Sequence, residues 1–155
     1  MLGRTANGIF WMFRYLERAE NTARLVDAGY RMALTRGAMD AREEWRSVIA
    51  TAGLRKAYQA RHADYTGRQV SSFMLGSRDH AGSVLSMVEL ARANARTVRT
   101  GLTREVWEAV NECWMQLSAL LARPAREANL VDMIAAIRRQ TGLVRGAVHG
   151  SMLRT

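Results

Sequence analysis

The scarcity of helix-breaking residues is the feature that most restricts the fold of this sequence. The 155 residues include one proline, Pro124, and proline disrupts a helix interior because it lacks an amide hydrogen and clashes with the preceding turn. Runs of β-branched residues, which favour strands, are few. Ala, Arg and Leu are abundant, and these residues lose little free energy on entering a helix. The sequence therefore predicts an all-α protein.

Apolar residues recur every three or four positions from Ile9 to Tyr30, the spacing of a helix that packs into a bundle. This first helix is predicted to begin at a cap, Thr5 or Asn7, and to end near Thr35. The later helices are predicted at residues 40–62, 69–75, 81–99, 103–122 and 127–148. Five of the six are long and their connections are short. We therefore expect one domain over residues 1–155, folded as an antiparallel bundle of about five long helices.

Capping residues and glycines set the predicted helix boundaries. Asp40 is expected to cap the second helix, and Thr103 is expected to start the helix at 103–122. The helix at 81–99 is assigned a cap at Ser77 or Asp79. Gly53 is predicted to lie inside the second helix, at a point of close packing.

The net charge of +9 comes from 22 arginines and one lysine, Lys56, against 14 acidic residues. Proteins that bind the phosphate backbone of nucleic acids normally use both arginine and lysine. The charges are also dispersed along the chain, and a basic tail or arm is absent. Nucleic acid is therefore the least favoured partner.

One cysteine, Cys113, cannot form an intramolecular disulfide, which favours a reducing compartment. It lies within a predicted helix and is expected to be a small buried hydrophobe. The sequence does not open with a signal peptide. The longest uncharged stretch, residues 113–122, has about half the length that a bilayer requires. We therefore expect a cytoplasmic protein with no membrane partner.

The first helix carries a charged segment, defined here as residues 14–24. On a helical wheel most of its polar residues fall within about 80° of Arg14, together with the apolar Phe10 and Leu25. Two interpretations remain open: a solvated face with internal ion pairs, or a partly covered functional stripe whose charges must be paired. Glu17 can reach Arg14 or Asn21, and Glu20 can reach Arg24. The candidate binding residues here are Arg14, Glu17, Arg18, Glu20, Asn21 and Arg24.

A second polar face lies at the start of the helix predicted at 103–122. Three-four spacing places four polar residues together: Arg104, Glu105, Glu108 and Asn111. Two carboxylates one turn apart can act as acid and base or hold a metal, but they also simply complement the helix dipole. Carboxylate metal sites in four-helix bundles use Glu-x-x-His pairs, which do not occur here. No metal or other cofactor is predicted.

Four stretches of the sequence together resemble the bacterial alpha-E family, in family order along nearly the whole chain. They are residues 11–24, 94–99, 104–112 and 149–154. That family is predicted to be all-helical and is named for a Glu-Arg pair, which corresponds to Glu17 and Arg18. One departure is Phe13, which stands where the family pattern has a small residue.

The resemblance also implies partners. Family members are longer, with a second Tyr-Leu-Glu-Arg type helix after a Met-Leu-Arg segment that matches residues 152–154. This chain is therefore expected to be the N-terminal half of a larger, pseudo-repeated helical domain, completed by a second half-domain or by a homo-oligomer. Family members are encoded or fused beside circularly permuted ATP-grasp and transglutaminase-like proteins, which implies ATP-dependent amide or peptide-bond chemistry.

Three functions follow from these observations. The favoured one is an accessory binding module that works with an ATP-grasp-type ligase. Its charged segment and the region from Arg96 to Asn111 would together form a polar cleft, completed by the second half-domain or another subunit, whose arginines bind carboxylates or phosphates. The first alternative is an amide-bond enzyme in its own right, with acid and base drawn from Glu17, Glu20, Glu105 and Glu108. The second is an Arg-rich nucleic-acid binder. No catalytic residue is assigned.

Overall fold

The computed structural model describes residues 2–153, and helices dominate this part of the chain. No strand occurs among the described residues, which confirms the all-α prediction. Five of the seven α-helices have 14 or more residues, as expected. The elements are α1 (Leu2–Leu34), α2 (Ala38–Thr51), α3 (Arg55–Gln59), α4 (Gly67–Leu75), α5 (Val84–Thr97), a 3₁₀ turn (Arg99–Gly101), α6 (Arg104–Leu121) and α7 (Glu127–Leu153).

Four of these helices form a closed bundle around the core. Helix α1 packs against α5 and α7, and α6 packs against the same two helices. Helices α1 and α6 are therefore diagonal to each other, while α2 and α4 pack on the outside of α1. The fully buried core residues include Met12, Ile49, Leu85, Leu117 and Ile137. None of the described helices combines the length and apolarity needed to cross a bilayer.

Two glycines let neighbouring elements approach α1 closely. A Cβ added at Gly8 would lie 2.4 Å from Val98 Cγ1, and one added at Gly29 would lie 2.4 Å from Val48 Cγ2. Side-chain atoms essentially never come this close, so any larger residue would push α5 or α2 away. The long first helix is therefore the shared packing surface of the molecule.

The predicted helix at 40–62 is wrong in one respect, because it is interrupted. Gly53 has a φ of +72°, a left-handed conformation that ends α2 and that only glycine adopts at little cost. Nothing lies within 4 Å of a Cβ added there, so the expected close packing point is also wrong. The chain turns at Gly53 and continues as the short helix α3.

The predicted helix starts are only partly confirmed. Asp40 is not the cap of α2, because α2 begins at Ala38 after the N-cap Gly37 and holds Asp40 in its first turn. Thr103 caps α6 by accepting a 3.2 Å hydrogen bond from the Val106 amide, as predicted. The predicted cap of α5 at Ser77 or Asp79 is wrong. The cap is Ser83, whose hydroxyl accepts a 3.1 Å hydrogen bond from the Ser86 amide.

The remaining helix ends also differ from the prediction. Thr5 and Asn7 lie inside α1, which begins at Leu2 and is not capped at either residue. Helix α7 extends beyond its predicted end and reaches Leu153.

A carboxylate buried at the edge of the core joins α1 to α7. The Glu20 side chain is 8% exposed and accepts hydrogen bonds from Arg24 Nη2, at 2.9 Å, and from Arg145 Nη2. Both arginines remain about half exposed. A covered charge with two charge-assisted partners is stabilised, whereas loss of the carboxylate would leave both guanidinium groups without their shared acceptor.

We expect Glu20→Ala to lower the free energy of unfolding by about 1.5–3 kcal/mol, the contribution of hydrogen bonds to charged groups. The matched control is Glu17→Ala, which removes an exposed carboxylate three residues earlier and should cost less than about 0.5 kcal/mol. Urea denaturation followed by circular dichroism measures both. Equal losses in the two variants would contradict a structural role of the Glu20 contact.

Cys113 lies fully buried in α6, and desolvation raises the pKa of its thiol to about 12. An unfolded cysteine has a pKa of about 8.5, so at pH 8 the folded protein should hold far less of the reactive thiolate. We expect iodoacetamide to label Cys113 slowly in native protein and rapidly in 6 M guanidinium chloride. Labelling at similar rates in both conditions, measured by mass spectrometry, would show that the site is open.

Candidate functional site

The charged segment of α1 divides between two neighbours in the structure. Glu17 and Glu20 turn toward α7, where both lie near Arg145. Arg18 and Asn21 instead line a groove toward α5. Residues on a helix are separated by about 100° each, so two faces of one short segment can meet different surroundings.

On the α7 side the predicted local ion pairs are confirmed. Arg14 Nη1 lies 3.3 Å from Glu17 Oε2, with both side chains about half exposed. Arg24 Nη2 lies 2.9 Å from Glu20 Oε1. The Arg145 contact was not predicted, because it joins positions 125 residues apart and carries no local sequence signal. The arginines on this side, Arg14, Arg24 and Arg145, are thus already paired with carboxylates.

The other side forms a groove, called here the α1 groove, with a volume of about 540 Å³. It lies between α1, the turn after α2 and the first half of α5. Its α1 wall is largely polar, and its opposite side is apolar. The lining residues are Tyr15, Arg18, Asn21, Thr22, Leu25, Ala52, Leu54, Ala81, Gly82, Met87 and Leu90.

Arg18 is the one cation of the α1 groove, and it is exposed. It forms no ion pair with any residue that the structure describes. Its guanidinium carbon lies 5.9 Å from the ring centroid of Trp11, within the range of a cation–π contact. Such a contact orients a planar guanidinium and leaves its N–H edges available for bidentate binding.

Phe10 and Leu25, the apolar neighbours of the charged segment, differ in their surroundings. Phe10 is 54% exposed and packs edge-on against Trp11, so it covers little of the charged segment. Leu25 is partly buried against the core and lines the α1 groove. The covered part of the charged segment is therefore Glu20, beneath Arg145, and the Arg18 side stays open.

The second polar face, on α6, is occupied by its own contacts. Arg104 Nε lies 2.8 Å from Glu108 Oε1, and this hydrogen bond is the main cause of the raised pKa of Arg104. Asn111 accepts a 2.9 Å hydrogen bond from Arg92 Nε, whose guanidinium also stacks on Trp114. Asn111 thus belongs to the α5–α6 interface. Glu105 and Arg96 are exposed.

The expected single cleft between the charged segment and the region from Arg96 to Asn111 is not found among the described residues. Helices α1 and α6 are diagonal in the bundle, with α5 and α7 between them. None of the cavities found in the described part of the chain is lined by residues of both sets. The chain alone therefore does not form that cleft, and its completion by a second half-domain or another subunit stays a prediction.

The structure also holds two cavities that the sequence did not indicate. They adjoin the connection between α6 and α7, have volumes of about 440 and 500 Å³, and share Arg68 and Ala125. Residues from four distant segments meet there, so no local motif marks them. The available signals were weak: an aromatic residue, Trp45, in a polar helix and two arginines that flank Pro124.

The geometry favours binding over proton transfer. Glu17, Glu20 and Glu108 each lie in an ion pair with an arginine, which reduces their availability as a general base. Among the described residues, no three or more His, Cys, Asp or Glu side chains are arranged to hold a metal ion. The free guanidinium of Arg18 is the best-placed group to contact a ligand.

Comparison with known proteins gives one match. No curated protein and no solved structure matches the chain significantly. One family model matches residues 1–155; the family, Alpha-E, is described as a predicted alpha-helical domain with a conserved ER motif. The sequence contains a single Glu-Arg dipeptide, Glu17-Arg18, and of these two residues Arg18 lines the α1 groove while Glu17 faces α7. With its whole length matched and its described residues helical, the chain belongs to the Alpha-E family.

Proposed function

We propose that this protein is a binding module that holds a peptide-like ligand bearing carboxylates, with Arg18 as the anion-binding residue of the α1 groove. The observation that carries the proposal is the contrast among neighbouring arginines. Arg14, Arg24 and Arg145 are paired with carboxylates, whereas Arg18 forms no ion pair with the described residues, lies 5.9 Å from the Trp11 ring centroid and lines the groove.

The electrostatics of the α1 groove suit an anionic ligand. Its lining includes one cation and no acidic residue. An arginine held by an aromatic ring can bind a carboxylate through two parallel N–H···O hydrogen bonds, which are roughly twice as strong as neutral ones. The protein as a whole carries a net charge of +9, which favours the approach of anions.

The remaining lining suits a peptide backbone. Asn21 and Thr22 offer amide and hydroxyl groups, while Met87 and Leu90 offer an apolar surface on the opposite side. From Tyr15 to Leu25 the α1 wall rises about 15 Å at 1.5 Å per residue. An extended chain advances about 3.3 Å per residue, so the groove has room for roughly four residues.

The family resemblance supports a partner for this module. ATP-grasp-type ligases form amide bonds at a carboxylate activated with ATP, and a second protein that holds a carboxylate-bearing peptide would position the substrate for such a ligase. In this proposal the ligase supplies the chemistry, and the helical protein supplies binding and orientation.

Arg18→Ala should weaken binding of an unlabelled acidic peptide, for example acetyl-(Glu-Ala)₃-amide, by roughly 10-fold or more, because a charge-assisted hydrogen bond is lost. Arg18→Lys should recover part of the affinity, since lysine keeps the charge but not the bidentate geometry. Isothermal titration calorimetry at fixed ionic strength measures the dissociation constants.

The control for this experiment is Arg139→Ala, which removes the same charge from an exposed position on α7 outside the α1 groove. It should bind the peptide nearly as wild type does. Equal weakening in Arg18→Ala and Arg139→Ala would mean that only net charge matters, and the proposed site would be refuted.

The partnership has a separate test. Purified wild-type protein mixed with an ATP-grasp-type ligase encoded beside it should form a complex detectable by light scattering after size-exclusion chromatography. Separate elution of the two proteins at concentrations of tens of micromolar, with and without ATP and acidic peptide, would argue against the partnership while leaving peptide binding by Arg18 intact.

A further inference from the structure

A second cavity lies at the other end of α1 and shares no lining residue with the α1 groove. We call it the Trp45 cavity. Its volume is about 500 Å³, within the range of about 300–1,000 Å³ typical of small-molecule sites. The end of α1, α2, the start of α4 and the start of α7 enclose it. The lining residues are Tyr30, Ala33, Leu34, Trp45, Gly67, Arg68, Ser71, Ala125, Arg126, Glu127 and Leu130.

The aromatic wall of this cavity is held firmly in place. Trp45 is 5% exposed, and its indole is packed between two glycines. A Cβ at Gly67 would lie 2.9 Å from Trp45 Nε1, and one at Gly29 would lie 3.4 Å from Trp45 Cζ3. The indole is therefore fixed in position, and its small accessible part lines the cavity beside Tyr30 and the aliphatic side chains of Leu34 and Leu130.

Hydrogen-bond donors without partners surround this surface. The buried hydroxyl of Ser71 has no partner among the described residues. The Trp45 indole N–H and the Tyr30 hydroxyl form no hydrogen bond with the described residues either, but neither group is fully buried. Arg68 and Arg126 form no ion pair with the described residues, and the lining includes one acid, Glu127. Buried polar groups are normally paired, so the Ser71 hydroxyl lacks a partner that a ligand could supply. Arg68 and Arg126 are exposed and unpaired, so both cations are available to an anionic group.

We infer that the Trp45 cavity binds a small ligand with a flat ring and an anionic substituent, namely an aromatic carboxylate or an aromatic phosphate ester. The ring packs against Trp45 and Tyr30, where aromatic contacts add to the burial of apolar surface. The anionic group meets Arg68 and Arg126. Arg68 also lines the adjoining cavity, where Arg61 is paired with Asp79 at 3.1 Å and Arg123 forms no ion pair with the described residues. The anionic end therefore points toward a space that has room for a larger substituent.

Isothermal titration calorimetry with matched probes tests this inference. The probes are 2-naphthoate and 2-naphthyl phosphate, with neutral 2-naphthol and inorganic phosphate as controls. We expect at least one of the two anionic probes to bind with a dissociation constant below about 1 mM, and each control to bind at least 10-fold more weakly. The tighter of the two anionic probes identifies the anion, carboxylate or phosphate, that the site prefers.

Arg68→Ala should raise the dissociation constant of the preferred probe by roughly 10-fold or more, since a charge-assisted contact is lost. Arg68 is exposed and unpaired, so this variant should keep the fold. Ala33→Phe, which narrows the cavity from α1 without changing charge, should also weaken binding. Arg139→Ala is the control for charge.

Three results would overturn the inference: no binding of either anionic probe, equal affinity for 2-naphthol, or unchanged affinity in both Arg68→Ala and Ala33→Phe. The inference does not depend on the proposed function. Arg68 lies outside the α1 groove, so acidic-peptide titrations of Arg68→Ala report separately on that groove.

Discussion

The buried apolar face of α1, which includes Met12, Ala19 and Val26, fixes how this helix is rotated in the bundle, and the positions of Glu20 and Arg18 follow from that rotation. Glu20 lies at the edge of this face, where its carboxylate contacts Arg145 of α7. Two residues along a helix are about 200° apart, so Arg18 points to nearly the opposite side, toward α5 and the turn after α2. The packing of α1 thereby determines which cation of the charged segment remains available for a ligand.

The same arrangement separates structural arginines from a functional one. An arginine that shares a carboxylate with a neighbouring helix contributes to packing, and its guanidinium is occupied. Arg18 has no such acceptor among the described residues, and its guanidinium lies within cation–π range of Trp11. The structure thus gives the two residues of the Glu-Arg motif different surroundings. Glu17 pairs with Arg14 at the surface, whereas Arg18 lines the α1 groove.

The sequence predicted what depends on local chemistry. Helix formers and three-four spacing predicted the five long helices, Thr103 was recognised as a cap, and ion pairs one turn apart were anticipated because their partners are on the same helix. The features that it missed depend on the meeting of distant segments. They include the contact of Glu20 with Arg145, the diagonal placement of α1 and α6, and the Trp45 cavity. The break at Gly53 was missed because a glycine within a helical pattern does not reveal the sign of its φ.

The central claim is that Arg18, among all the arginines of this chain, contacts the carboxylate of the ligand. Nuclear magnetic resonance of protein labelled with ¹⁵N-arginine tests this directly, because each Nε–H group gives its own signal. During titration with an acidic peptide, the Arg18 signal should shift saturably, and the signals of Arg14, Arg24 and Arg145 should move much less. Shifts spread evenly over the arginines, or largest on α6 or α7, would contradict the account.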